Sequence, residues 1–204
     1  EDIRNAYEEI LPDLEVHVIE ESATATPKAA KNLLSFFNDR LKVYLKDEGI
    51  SHDVIDASLA MPGNDDLLLL VNRAKALAAF LKTDDGVNLI QGFKRANNIL
   101  SQAEDKDGVE YSFGAEAKFA DADEEKALFT ALDAADAKIA PAMAAEDFGA
   151  AMSAMADLRA PIDAFFNTVQ INADSAVLRR NRLNLLHRIR TNCLSVADLR
   201  KLEG

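Results

Sequence analysis

The chain has a single cysteine, Cys193, in 204 residues. One thiol excludes an intramolecular disulfide and any cysteine-built zinc site, and fits a reducing cytoplasm. Glycine and proline are scarce as well, at 8 and 5 residues. These are the two poorest helix formers, while alanine, the best, is abundant, so the composition favours helices. No apolar run reaches the roughly 18 residues that span a bilayer, and no signal peptide is evident, so no membrane partner is expected. The first residues, Glu1-Asp2-Ile3-Arg4, lack an initiator methionine, which suggests a processed protein or a piece of a longer one.

The usual catalytic signatures are missing too. There is no glycine-rich phosphate loop of either common type, no nucleophile elbow and no H-E-x-x-H zinc motif. The three histidines, His17, His52 and His187, stand too far apart in sequence to form a metal-ligand set. His52-Asp53 is the pairing found in metal phosphohydrolases, but Ser51 precedes it at a helix start, where an acid favours the positive end of the helix dipole. Cys193 lies on an apolar helix face with no activating base nearby and reads as a small core residue. No catalytic residue and no metal ligand is assigned to this chain.

What the sequence does have is 49% hydrophobic residues and a formal net charge of −12. The first is enough for a packed core. The second is unevenly spread: residues 101–160 carry 14 acids against 5 bases, whereas residues 176–201 carry one acid against 7 bases. An acidic chain with one basic segment is compatible with a local nucleic-acid face. On that view the acidic half is expected to face away from RNA.

Helix start and stop residues recur along the chain. Thr26-Pro27 opens a helix over about 27–48 that Gly49 ends. Further helices are predicted at about 51–59, 66–81, 83–101, 124–139, 142–156 and 161–169, with Asp174-Ser175 capping one that carries the basic run. Residues 1–10 are predicted helical and 11–25 a linker, so that residues 1–30 form an N-terminal helix and linker and 31–204 the main domain. The polar stretch 101–122 contains an Asp-Gly turn signal and alternating Val109, Tyr111 and Phe113, which suggests an inserted short hairpin or loop. The expected fold is all-α, an antiparallel helical bundle with short connections.

The basic run "LRRNRLNLLHRIR" covers Leu178–Arg190. Placed at 100° per residue, Leu178, Leu185, Leu186, Ile189 and Cys193 share one arc, and Arg182 projects from its middle. Arg182 is therefore expected to be buried and paired. Arg180 and Arg188, with His187 beside them, project the other way and are free to meet solvent or phosphate; Arg179 and Arg190 lie at the edge. The same geometry on 33–46 places Arg40 within an apolar arc of Leu33, Phe36, Phe37, Leu41, Val43 and Tyr44. Arg40 and Arg182 are thus the structural buried charges, with Asp39, Asp56, Asp163 and Asp174 as candidate counter-ions.

The helix at 87–100 has a different character. Leu89, Ile90, Phe93, Ala96, Ile99 and Leu100 point inward. Asn88, Gln91, Lys94, Arg95 and Asn98 share the opposite face, with two positive charges and no acid. Amide and guanidinium groups suit base edges, and cations suit phosphates. The candidate RNA-binding residues are those five together with Arg179, Arg180 and Arg188.

Four ordered segments, "FFNDRLKVYLKDEGISHDVIDA" (36–57), "FKRANNIL" (93–100), "LRAPIDAFFNTVQINAD" (158–174) and "LRRNRLNLLHRIR" (178–190), resemble the C-terminal part of the β subunit of bacterial heterotetrameric glycyl-tRNA synthetase. The pattern R-x-P-[VI]-D-x-F-F followed by R-x-N-R-L-x-L-L is the most specific. The resemblance spans most of residues 33–204. It implies a helical DALR-like anticodon-binding domain that helps to hold tRNA(Gly), with a variable insertion at 101–122. It implies that Arg40, Arg95, Arg159, Arg179 and Arg182 are family positions. Catalysis, with ATP, glycine and magnesium, would belong to the separate α subunit. The partners would be tRNA(Gly), that α subunit and the rest of the β subunit. The alternative is a helical protein–protein interaction module for subunit assembly, with little direct RNA contact.

Overall fold

A computed structural model describes residues 29, 32–63 and 65–203. The expected helix at 1–10 and linker at 11–25 lie outside them. Contacts divide the chain into two compact units, residues 1–44 and 45–204. Helix α1 covers 32–47. It is followed by α2 (His52–Leu59), α3 (Leu67–Phe80), α4 (Asp84–Asp107), α5 (Asp123–Ala144), α6 (Phe148–Ala156), α7 (Arg159–Thr168) and α8 (Ala176–Leu194). Short 3-10 turns occupy Ala117–Phe119 and Leu199–Lys201. The fold is all-α, with no strand among the described residues. No helix among these residues is long and apolar enough to cross a membrane.

Side-chain caps explain several helix starts. Asp66 accepts a hydrogen bond from the Leu69 amide at 3.0 Å, Thr83 Oγ1 from the Gly86 amide at 3.0 Å, and Asp147 from the Ala150 amide at 2.9 Å. Each satisfies one donor that the first turn leaves unpaired. Gly86 allows a close approach: a Cβ there would sit 2.1 Å from the Phe80 carbonyl oxygen. Gly108 ends α4 in the left-handed region, at φ 66°, where glycine carries no steric penalty.

Four boundaries differ from the sequence-based reading, one being that α6 begins at Phe148, after the Asp147 cap, and not at 142. Helix α4 continues to Asp107 rather than stopping near 101, and the residues after it form an irregular loop with a single 3-10 turn, not a hairpin. Helix α5 runs through Pro141, which removes one N–H from the backbone ladder ahead of the last turn. Helix α7 begins at Arg159, which puts Pro161 in the first turn, where the missing N–H would have no partner in any case.

Within residues 45–204, α5 packs against α6, α7 and α8, and α4 against α6, α7 and α8. Helix α2 lies on α3 and on the turn at Leu199–Lys201. Buried side chains include Leu89, Phe93 and Leu100 of α4, Leu128 and Leu132 of α5, and Phe165 of α7. Helix α8 is enclosed along its middle, with Asn181, Arg182, Leu183, Asn184, Leu185 and Leu186 all buried in succession. A helix covered on several sides needs no amphipathic stripe, which is why a single apolar arc understates its burial.

Arg40 of α1 corrects an expectation. It is exposed, as are Leu33, Phe36, Phe37, Val43 and Tyr44 of the same apolar arc. Its guanidinium stands over the Phe36 ring, 5.3 Å from the centroid. A cation–π contact at the surface takes the place of the buried ion pair.

Candidate nucleic-acid interface

The arginines of α8 are distributed by their partners. Arg182 is buried against Glu125 of α5, which is fully enclosed. Its Nε and Nη2 donate to the two carboxylate oxygens at 2.9 and 3.0 Å, and Nη1 donates to the Gln170 carbonyl at 2.9 Å. Glu125 Oε2 also accepts from the amides of Asp121 and Ala122, both at 3.0 Å. The counter-ion is therefore Glu125, not one of the four aspartates considered from sequence. Burial pushes the Glu125 carboxyl pKa upward, but hydrogen bonds from Arg182, Ala122 and Asp121 outweigh it and hold the group below the usual range.

The other arginines that face outward in the helical projection are mostly engaged as well. Arg188 bridges Asp133 and Asp136 of α5, at 2.8 Å each, and its side chain is only 22% exposed. Arg179 pairs with Asp107 at 2.7 Å and donates to the Tyr111 hydroxyl at 3.0 Å and to Asn172 at 3.2 Å. Arg190 makes a two-pronged pair with Glu104, at 3.0 and 3.1 Å. The acidic residues of 101–160 thus do not all turn away from the basic helix. Glu104, Asp107, Glu125, Asp133 and Asp136 are its counter-ions, and they cancel most of the positive field that the run carries in sequence. Arg180 stands apart: it is exposed, lies 5.8 Å over the Phe113 ring, and makes no ion pair with a described residue.

His187 lies half-buried, 3.0 Å from an Arg190 nitrogen through Nδ1. Burial, then the Arg190 charge, lowers its pKa. Cys193 is completely buried and its thiol is pushed up to about 12, so at neutral pH it is an inert thiol within the core. His52 and Asp53 have local partners. Asp53 accepts from the Ser51 hydroxyl, the Val54 amide and the Glu203 amide, and His52 Nε2 lies 3.3 Å from Glu203. Among the described residues no group of three or more His, Cys, Asp or Glu is placed to hold a metal ion.

The face of α4 keeps its polar character. Gln91, Arg95 and Asn98 are exposed, and Asn88 and Lys94 half-buried. Neither Lys94 nor Arg95 forms an ion pair with a described residue. Arg95 instead lies over Phe166 of α7, 4.5 Å from the ring centroid, with Nη2 directed at the Phe166 carbonyl at 3.5 Å. Gln91 and Lys94 line a cleft of about 510 Å³ with Leu81, Val87, Ile90, Leu202 and the acidic Glu203. Cations, amides and an apolar floor on one face can take a phosphate and an unstacked base together.

The DALR anticodon binding domain matches residues 89–203 of this chain, from α4 to the C-terminal turn. The chain belongs to this family. It is 74% identical over 174 residues to a glycine–tRNA ligase β subunit of Cereibacter sphaeroides, covering 85% of this chain and 25% of that protein. It is 69% identical over 177 residues to the β subunit of Dinoroseobacter shibae, covering 87% and 25%. With that of Rhodospirillum centenum it shares 51% over 189 residues, covering 90% and 26%. The chain spans about a quarter of the length of these relatives. The DALR match contains the polar face of α4 from Gln91 to Asn98 and the whole of α8.

Two features of this anticodon-binding domain escaped the sequence reading. Glu125 was hidden among the many acids of 101–160, since nothing local marks one carboxylate as the buried one. Phe113 was read as part of an alternating strand pattern. In the structure Tyr111 is buried and bonded to Asp107, while Phe113 is exposed.

Proposed function

We propose that this domain binds the anticodon region of tRNA(Gly) as part of a glycine–tRNA ligase β subunit. In this role it supports the ATP-dependent attachment of glycine by the α/β enzyme in the cytoplasm. ATP, glycine and magnesium are used at the separate α subunit. The observation that carries this reading is the face of α4, where Lys94 and Arg95 form no ion pair with a described residue, whereas Arg179, Arg182, Arg188 and Arg190 of α8 are all paired with carboxylates. Backbone phosphates are drawn to cations that the fold has left available, and Asn88, Gln91 and Asn98 beside them offer donors and acceptors to base edges. Arg180 belongs to the same reading. Arg179 and Arg188 contribute by holding α8 to α4 and α5, since a phosphate would have to displace their carboxylates.

The test is the double substitution Lys94→Ala/Arg95→Ala in the intact α/β ligase. The expected result is a KM for tRNA raised about tenfold, with kcat and thermal unfolding close to the parent's. Unchanged charging at limiting tRNA sinks the assignment.

The exposed apolar residues of α1, Leu33, Phe36, Phe37 and Val43, support a second role beside the first. A hydrophobic surface of this kind suits a protein contact, and the rest of the β subunit is the proposed occupant, given how much longer the relatives are.

A further inference from the structure

The loop between α4 and α5 and the first turns of α8 enclose a cleft of about 280 Å³. Its walls are Phe113, Gly114, Glu116 and Phe119 on the loop side, and Val177, Arg180, Asn181 and Asn184 on the helix side. Beside the Arg179–Tyr111 hydrogen bond, Asn181 fastens the loop to the helix. Asn181 accepts from the Glu116 amide at 2.8 Å and donates to the Glu116 carbonyl at 3.1 Å. Gly114 has a φ of +88°, so the chain turns sharply just after Phe113.

Three side chains in this fixed wall lack the partners that folding normally supplies. Phe113 is 80% exposed, although aromatic rings are among the groups that gain most from burial. Arg180 covers part of that ring and has no counter-ion among the described residues, while Arg179, Arg182, Arg188 and Arg190 each have one. Asn184 is only 6% exposed, and its Oδ1 finds no hydrogen-bond partner. A buried carboxamide oxygen left unpaired is costly, and a ligand that reaches it removes the cost.

We propose that this cleft seats one unstacked nucleobase from a single-stranded loop of the bound tRNA. The base stacks against Phe113 and the Arg180 guanidinium, and the Asn184 carboxamide hydrogen-bonds to its edge. Aromatic and guanidinium planes are the surfaces on which splayed-out RNA bases rest, and an amide reads a base edge. The cleft volume falls just under the ~300–1,000 Å³ of sites for drug-sized ligands, which suits one planar heterocycle. A phosphate is a poorer occupant, because the Glu116 carboxylate forms part of the wall and only one unpaired cation faces it. The proposal rests on the tRNA-binding reading above and extends the interface to the 108–122 loop.

The experiment compares Phe113→Ala, Phe113→Tyr and Asn184→Leu in the intact α/β ligase carrying this sequence. tRNA(Gly) affinity is titrated, and chemical probes report the exposure of each loop base in the complex. Phe113→Ala is expected to weaken tRNA binding on the order of tenfold and to restore the reactivity of a single base. Phe113→Tyr retains both affinity and protection. Asn184→Leu leaves that base bound but narrows the discrimination between tRNAs that differ at it. Because Phe113 is exposed, unfolding temperatures are expected to match the parent's. Parent-like affinity and protection in Phe113→Ala, or parent-like discrimination in Asn184→Leu, overturns the proposal. If Lys94→Ala/Arg95→Ala still weakens binding in the same assay, the anticodon-binding reading survives that failure; if it too binds like the parent, both fall. Loosened α/β assembly by Phe113→Ala, with parent-like tRNA affinity in the assembled enzyme, makes the cleft a protein contact and also overturns the proposal.

Discussion

Arg182 of α8 and Glu125 of α5 meet in a buried, two-pronged ion pair, 57 residues apart in sequence. The carboxylate also receives the amides of Asp121 and Ala122, so one group closes the start of α5 and anchors α8. Replacing Arg182 by Met strands that charge in the core and is expected to cost about 3–5 kcal/mol. Urea denaturation of parent and variant measures it. A direct RNA contact predicts the opposite pattern, parent-like stability with weakened tRNA binding.

Arg73 of α3 is the counter-example. It is buried, has no carboxylate partner among the described residues, lies 5.1 Å over the Phe148 ring and reaches the Pro62 carbonyl at 3.3 Å. Its Nε has no partner, and burial lowers its pKa. An apolar residue of similar length removes a desolvated charge without stranding another. Arg73→Met is therefore expected to stabilise the chain by about 1 kcal/mol. A fall in the urea midpoint as large as that of Arg182→Met contradicts this account.

Acid is expected to lower the protein's stability over two pH ranges. His187 has a folded-state pKa below its ordinary value, so the unfolded chain binds its proton first. Its contribution is complete above about pH 6.5 and declines as pH falls below that value. Glu104 and Glu125 are held below the usual carboxylate range, because hydrogen bonds from Arg190 and Arg182 outweigh the effect of burial. Their contribution is present above their ordinary value, near 4.3, and is lost as pH falls through the folded-state values. Melting temperature against pH should show both declines, and His187→Gln should flatten only the one at higher pH.

Much of the architecture was legible before any coordinates. Short-range rules located the helices, because a cap, a glycine or a first-turn acid acts within a few residues of itself. Thr83 and Asp66 behave as their residue types require, whereas Asp147 caps α6 within a stretch that reads as one helix over 142–156. The inward position of Arg182 was legible for the same reason, since helical periodicity decides which way a side chain leaves the axis. The stripe of Asn88, Gln91, Lys94, Arg95 and Asn98 followed from periodicity too.

Tertiary structure decided who partners whom. Periodicity says that a charge points inward, but an ion pair is a contact between elements far apart in sequence, so Glu125 could not be singled out from the acids around it. Arg188 reads as free and Arg179 as an edge residue able to meet RNA until α5 and the end of α4 bring carboxylates to them, and Arg40 reads as buried on a face that the described structure leaves exposed. The cleft beneath Phe113 depends on a loop without regular structure, held by the two hydrogen bonds between Asn181 and Glu116. The sequence alone determined the helices, their faces and the kind of chemistry the chain could offer. Only the packed structure decided which of its positive charges the fold had already neutralised, because neutralisation depends on distance in space and not on spacing along the chain.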